Sequence, residues 1–141
     1  MKTFFNIVVP FYNVEKWVNR CIRSIKAQNY SDYRVVLVND VSTDSTVEII
    51  KREIEGNNKF SLMHTEKNGG ALNSTSAGID YLSPSDEEVV IVLDGDDWFA
   101  NRESLNIVNK AYVENNCLMT YGSYIDYPAG IRGKFSKKLP D

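Results

Sequence analysis

Asp94, Asp96 and Asp97 place three carboxylates within four positions, with Gly95 between the first two. Crowded together without a counter-charge, such groups repel one another, which raises their pKa values and weakens the fold. A bound cation removes that penalty, and an all-oxygen ligand set suits Mg²⁺, Mn²⁺ or Ca²⁺ rather than zinc or copper. A calcium helix–loop–helix site starting at Asp94 is excluded by spacing, because Trp98 stands where an oxygen ligand is required and Phe99 where a glycine is. The plain alternative is that Asp94-Gly95 makes a tight turn and Asp96 or Asp97 caps the next helix.

What precedes the carboxylates decides where they sit. Val89-Val90-Ile91-Val92-Leu93 is a continuous apolar run, rich in β-branched residues and stopped by turn formers. That pattern reads as a strand buried on both faces, which belongs to a parallel sheet covered by helices. Ligands of open α/β sheets bind beyond the carboxyl ends of the strands, which is where this run delivers its aspartates.

The rest of the chain repeats the arrangement. Phe4 to Pro10 reads as a first strand, its end marked by a proline that cannot donate to a ladder, and Phe11-Tyr12-Asn13 follows as a loop. Val14, Trp17, Val18, Cys21, Ile22 and Ile25 recur at helical spacing, with Asn13 as N-cap and Trp17 in the core. Tyr33 to Val38 is a second strand ending in Asn39-Asp40. Ser42 or Thr43 is expected to cap a helix that turns Val47, Ile50 and Ile54 inward and stops at Gly56. Phe60 to His64 is a third strand, followed by a loop whose Gly69 and Gly70 allow positive φ or close approach to a ligand. Leu72, Thr75, Ile79 and Leu82 mark the inward face of a third helix broken at Ser83-Pro84, and Leu105, Val108 and Tyr112 mark a fourth. Cys117 to Tyr121 resumes an extended pattern, with a strand over Tyr121–Ile125 closed by Asp126, and from Pro128 onward the chain reads as loop.

Strands alternating with helices make an α/β fold with a parallel sheet and right-handed crossovers. Three strand ends then bring Tyr12, Asp40 and Asp94 to Asp97 to one edge. No G-x-G-x-x-G opens a helix and no P-loop motif occurs, so a bound nucleotide is not held by either of those glycine loops. The 141 residues suffice for one domain with a real core, and no apolar run approaches the roughly 20 residues of a membrane span. A net charge of −3 speaks against a nucleic-acid partner. Cys21 and Cys117, each inside an apolar pattern, read as free thiols rather than a disulfide, which fits a reducing, cytoplasmic compartment. His64, the single histidine, reads as a strand end.

Val8-Val9-Pro10-Phe11-Tyr12-Asn13, Val38-Asn39-Asp40-Val41-Ser42-Thr43-Asp44-Ser45-Thr46, Asn68-Gly69-Gly70 and Leu93-Asp94-Gly95-Asp96-Asp97 stand in an order and spacing similar to those of the family 2 glycosyltransferases, over roughly residues 4 to 127. The resemblance implies the nucleotide-sugar-binding part of a GT-A fold, residues 1–127. Residues 128–141 are then a C-terminal loop or the start of an acceptor-side segment.

The resemblance further implies a nucleoside-diphosphate sugar donor, most often a UDP-sugar, a divalent Mn²⁺ or Mg²⁺, a glycan, lipid or protein acceptor, and transfer with inversion. Pro10 and Tyr12 line the base pocket with Asn13 beside them, Asp40 bonds the base or ribose, and Gly70 belongs to the donor loop. Asp94-Gly95-Asp96 matches the D-x-D motif; Asp94 binds ribose or orients the metal shell, and Asp96 or Asp97 holds the metal.

Two departures stand out. Ser74-Thr75-Ser76 occupies the place of the family's Ala-Arg-Asn, so a cation expected near the diphosphate is missing, with Lys67 a substitute. No residue before Asp141 matches the catalytic base, Asp126 closing a strand and Asp141 being terminal, so the catalytic residue is unknown. The chain reads as part of an inverting enzyme or as a non-catalytic binding module; a sugar nucleotidyltransferase is a further alternative, disfavoured by the lack of a glycine- and lysine-containing loop after the first strand.

Overall fold

A computed structural model describes residues 2–115 and 117–133. Eight elements follow in chain order: β1 (Phe5–Phe11), α1 (Val18–Lys26), β2 (Tyr33–Asn39), α2 (Thr46–Ile54), β3 (Phe60–His64), α3 (Ala71–Leu82), β4 (Val89–Val92) and α4 (Ser104–Asn115). The four strands form one parallel sheet in the order β3-β2-β1-β4, with Val8 paired to Val36 on one side and to Val92 on the other. Lacking hairpins, such a sheet needs a crossover between every pair of strands, which the helices supply.

Because successive side chains of a strand point to opposite faces, β1 feeds two cores. Phe5, Ile7, Val9 and Phe11 pack with Val18, Cys21, Ile22 and Ile25 of α1, Ile50 of α2 and Leu105 of α4. Val8 packs with Val36, Val38 and Leu82 on the α3 side. The chain therefore winds from β1 to β3 with its helices on one face and returns through α3 on the other to lay β4 beside β1. Neighbouring strands whose connections leave to opposite faces open a crevice at their carboxyl ends. Here those ends are Pro10 to Tyr12 and Asp94 to Asp97.

The α3 helix lies on the sheet through one close contact. A Cβ built on Gly78 would stand 2.6 Å from Val8 Cγ1 and 2.9 Å from Val38 Cγ2, so only the absence of a side chain lets the helix lie this near the sheet.

The structure corrects several sequence expectations. β4 is not buried on both faces: it is the edge of the sheet among the described residues, and Val92 is 51% exposed. Val89 and Ile91 pack against one core and Val90 against the other, but as an edge strand β4 is only partly covered on each face. Asn13 does not cap α1, which starts at Val18 after a turn over Val14–Trp17 closed by Trp17 N–H to Val14 O at 2.9 Å. Trp17 lies outside the core at 40% exposure.

Neither Ser42 nor Thr43 caps α2; Asp44 Oδ1 accepts from Thr46 N–H at 3.0 Å, which places a carboxylate at the positive end of the helix. On α3 the buried face is Ser74, Gly78 and Leu82, whereas Leu72 is 85% exposed. No strand forms over Cys117–Tyr121 or Tyr121–Ile125; a single bridge joins Ile125 to Arg132 around a turn. Without a neighbouring strand there is no ladder to extend. The expected loop from Pro128 is seen to Gly133, and 134–141 lie outside the described residues.

Candidate functional site

A cleft of about 210 Å³ opens at the crevice, lined by Pro10 and Phe11 at the end of β1, Tyr12 and Val14 beyond it, Asp40 just after β2, Ala71 and Ser74 from α3, and Asp94, Gly95 and Asp96 from beyond β4. Backbone bonds hold its two rims together. Gly95 N–H donates to Pro10 O at 3.1 Å and Leu93 N–H to Val8 O at 3.0 Å, extending the β1–β4 contact past the end of the strand. A Cβ on Gly95 would stand 2.7 Å from Phe11 Cβ, so the middle residue of Asp94-Gly95-Asp96 has no room for a side chain.

Asp40, 3% exposed, is held by donors from one loop. Oδ1 accepts from Gly69 N–H at 3.0 Å and from the Thr65 hydroxyl at 3.1 Å; Oδ2 accepts from Gly70 N–H at 2.8 Å. Gly70 adopts φ +82 to aim that N–H, and as the N-cap of α3 it has no side chain to offer, so Asp40 supplies the negative charge that a helix N-terminus favours. Burial is the largest single influence and pushes the Asp40 carboxyl up. The N–H groups of Gly69 and Gly70 and the hydroxyls of Thr65 and Ser74 together outweigh it and hold it below its ordinary 3.8. The next residue, Val41, sits at φ +64, a region a β-branched side chain adopts only under strain.

The opposite rim has no such cradle. Asp94, Asp96 and Asp97 are exposed, and among the described residues no donor reaches their carboxylates. Partial burial, and then the charge of Asp96, push Asp94 and Asp97 up from the ordinary value, with Asp94 adding to the effect on Asp97. Beneath them, the Cys21 Sγ lies 3.8 Å from the Asp94 carbonyl. Burial first, and then the charges of Asp97, Asp96 and Asp94, push its thiol up to about 12, which keeps it protonated and inert.

Trp98 anchors this rim. Its ring stacks on Trp17 at 6.3 Å between centroids and meets the edge of Tyr127 at 5.3 Å. The Arg20 guanidinium lies 4.6 Å from the Trp98 ring centre and 4.4 Å from that of Tyr127. Such cation–aromatic contacts tie the aspartate loop to α1 and to the segment around Tyr127.

The structure thus gathers Pro10, Tyr12, Asp40, Asp94 and Asp96 around one cleft. Asp97 and Asn13 do not line it, and Gly70 stands behind Asp40. Asn13 instead clasps the 42–44 loop: its Oδ1 accepts from Thr43 N–H at 2.8 Å and its own N–H donates to the Ser42 hydroxyl at 3.0 Å. Lys67 makes no ion pair with the aspartates among the described residues. Sequence reasoning missed Ser74 and Arg20. Ser74 was legible only as a departure from a family pattern, and Arg20 only as lying three residues from Trp17.

Known proteins share this fold. The chain is 31% identical over 122 residues to an uncharacterized glycosyltransferase of Haemophilus influenzae, covering 84% of this chain and 46% of that one. Staphylococcus aureus TarS, crystallised as residues 1–349 with UDP-GlcNAc, superposes with a TM-score of 0.72 at 23% identity, over 99% of this chain and 37% of that one. The mannosyltransferase PcManGT of Pyrobaculum calidifontis, crystallised with GDP-Man and Mn²⁺, superposes with a TM-score of 0.69 at 22% identity, over 79% and 33%. The two structural likenesses establish the fold as GT-A. This chain spans less than half the length of each of these relatives. The pattern of glycosyl transferase family 2 matches residues 6–139, so the chain belongs to that family.

Proposed function

We propose that residues 1–127 form the donor-binding part of an inverting, divalent-metal-dependent glycosyltransferase whose donor is a UDP-sugar, and that 128–141 begin the acceptor side. The observation that carries this reading is the cleft itself, with an apolar and aromatic wall at Pro10 and Tyr12, a pinned acceptor at Asp40, and free carboxylates at Asp94 and Asp96 on the facing rim. It is supported by the UDP-GlcNAc, and the GDP-Man with Mn²⁺, with which the two structural relatives were crystallised.

Each residue has a role its chemistry suits. Tyr12, 49% exposed, offers a ring face to a nucleobase, with Pro10 beside it. Asp40 accepts from the base or ribose, while Gly70 and Asn13 keep the flanking loops in shape. Asp94 takes the ribose or orients the metal shell, and Asp96 or Asp97 holds the ion.

The donor set fits a hard cation, being all carboxylate oxygen, with Asp94 and Asp97 raised in pKa by burial and then by neighbouring charge. Among the described residues no three His, Cys, Asp or Glu side chains converge on one point. Asp96 or Asp97 would hold such an ion through carboxylate oxygen. When bound, such an ion neutralises charge on the departing diphosphate. The acceptor hydroxyl then attacks the sugar carbon from the opposite face, giving inversion with the help of a carboxylate base. Among the described residues no helix is long and apolar enough to cross a membrane.

Calorimetric titration of UDP, UDP-glucose and UDP-galactose, with Mn²⁺ and again with EDTA, tests the reading. Metal-dependent binding is expected, and release of UDP from a bound sugar separates an enzyme from a binding module. Absence of binding by any UDP species overturns it.

A further inference from the structure

Arg20 stands beside an acidic rim and pairs with none of it. Its backbone N–H bonds Trp17 O at 2.9 Å at the start of α1, and the residue is exposed. The guanidinium sits in the angle between two rings that meet at 76°, 4.6 Å from the centre of Trp98 and 4.4 Å from that of Tyr127. Trp98 follows Asp97 directly, yet Arg20 makes no salt bridge with any carboxylate among the described residues. Arg23, on the same helix, does pair, with Glu53 at 3.1 Å.

An aromatic contact occupies the face of a guanidinium and leaves its N–H donors, which lie in the plane, free at the edge. A planar fork held in this way is pre-organised, so less freedom is lost when it pairs with an oxyanion through two parallel hydrogen bonds. Its complement is a carboxylate or a phosphate. The cleft next to it is lined by Asp40, Asp94 and Asp96 and by no lysine or arginine. An anionic ligand that approaches this rim is repelled by the aspartates and attracted by Arg20.

The rings narrow the class of ligand. Trp17 is 40% and Tyr127 58% exposed, so aromatic surface next to the guanidinium is open to solvent. Such rings, apolar over the face and polar at the edge, suit a ligand that is itself amphipathic, such as a sugar with its C–H face and its hydroxyls. A bare anion uses Arg20 alone, whereas a sugar that carries an oxyanion uses both.

We propose that Arg20, set between Trp98 and Tyr127, forms an acceptor subsite that takes a sugar bearing a carboxylate or phosphate group. The inference rests on the glycosyltransferase reading for calling that sugar the acceptor, and on the geometry of the stack for its binding.

Trp17 and Trp98 are the only tryptophans of the chain and stack on each other, so intrinsic fluorescence reports on this surface. The test titrates it in the whole chain with glucuronate, glucose 6-phosphate, glucose and inorganic phosphate, with and without saturating UDP and Mg²⁺. One or both charged sugars are expected to bind at least about tenfold more tightly than glucose or inorganic phosphate, and which of them binds names the oxyanion. Arg20→Ala is expected to reduce the charged sugar to the affinity of glucose, and Arg20→Lys to recover only part of the loss, because an ammonium lacks the fork. If both variants shift the unfolding temperature but keep the parent's ratio of charged to neutral sugar, Arg20 is structural and the proposal fails. No fluorescence change with either charged sugar up to about 50 mM, or an equal response to glucose or to inorganic phosphate, also overturns it. A response lost when UDP and Mg²⁺ saturate the chain gives Arg20 to the donor's phosphates and overturns the acceptor assignment. A response that persists in a chain that binds no UDP overturns the donor reading and leaves the oxyanion site standing.

Discussion

Two carboxylate sites face each other across the cleft, and they are built on opposite plans. Asp40 is buried, meets donors from Thr65, Gly69 and Gly70, and is held low despite its burial. Asp94 to Asp97 are exposed, repel one another, and include two carboxyls that are pushed up. The first site has its charge balanced by the protein's own dipoles and serves as a fixed acceptor. At the second the balance is left to a ligand. The contrast separates a group that shapes the fold from groups that cost the fold something.

The largest expected effect tests the second plan. Asp96→Ala should abolish the difference between UDP titrations in Mn²⁺ and in EDTA, a loss of about a hundredfold or more in metal-dependent affinity, about 2.7 kcal/mol. Its denaturant midpoint should stay level or rise, because a repelling charge has gone. A variant that keeps Mn²⁺-dependent binding would remove the metal assignment.

Asp40→Ala tests the first plan and should behave oppositely. It strands the donors of Gly69, Gly70 and Thr65, so urea unfolding should report a loss of about 2–3 kcal/mol, with weakened UDP binding in both Mn²⁺ and EDTA. Equal stability of the two alanine variants would erase the distinction drawn here.

Gly95→Ala probes the seam between the sites. The added methyl meets Phe11 Cβ at 2.7 Å, a contact that a rotamer change of Phe11 does not relieve. A cost of about 1–3 kcal/mol in denaturation is expected, together with weaker UDP binding from a displaced loop.

Val41→Gly goes the other way. It relieves a β-branched residue at φ +64 at the price of chain entropy, and should raise stability by about 0.5–1 kcal/mol. A lower melting temperature would show that the Val41 side chain contributes packing that outweighs the strain.

The smallest effect is on pH. Asp40 and Asp44 are held below 3.8, so their contribution is complete above that value and is lost as pH falls through their lowered pKa values. Asp94 and Asp97 are raised above 3.8, so the folded state binds their protons more tightly, and stability declines as pH rises through their raised values. Urea midpoints measured across this range should pass through a shallow maximum in mild acid, and Mn²⁺ should remove the decline on its alkaline side. A decline unaffected by Mn²⁺ would detach it from the aspartate cluster.

Element type was legible wherever the hydrophobic period was regular. Phe60 to His64 was read with the bounds that β3 has, and the other strands and the helices were each recognised, some with ends displaced by a few residues. Faces and caps were harder. Leu72 fits the α3 stripe by spacing but lies in the first turn, beyond the sheet it was expected to cover. Asn13 has the composition of an N-cap, yet its positive φ and its bonds to the 42–44 loop commit it elsewhere. A cap is chosen by the nearest unpaired N–H, and that is a fact of tertiary position.

Period, turn formers and charge order are local properties, so the chain alone determined the alternation of strands and helices, the parallel sheet it requires, and three polar strand ends on one edge. Non-local distances were decided only in the folded molecule. Neither the edge position of β4, nor the capture of Asp40 by Gly69 and Gly70, nor the burial of Ser74 has a periodic signal. Each depends on which residues, about thirty or more positions apart, the crossovers bring together, and hydrogen bonds discriminate on a scale of tenths of an ångström.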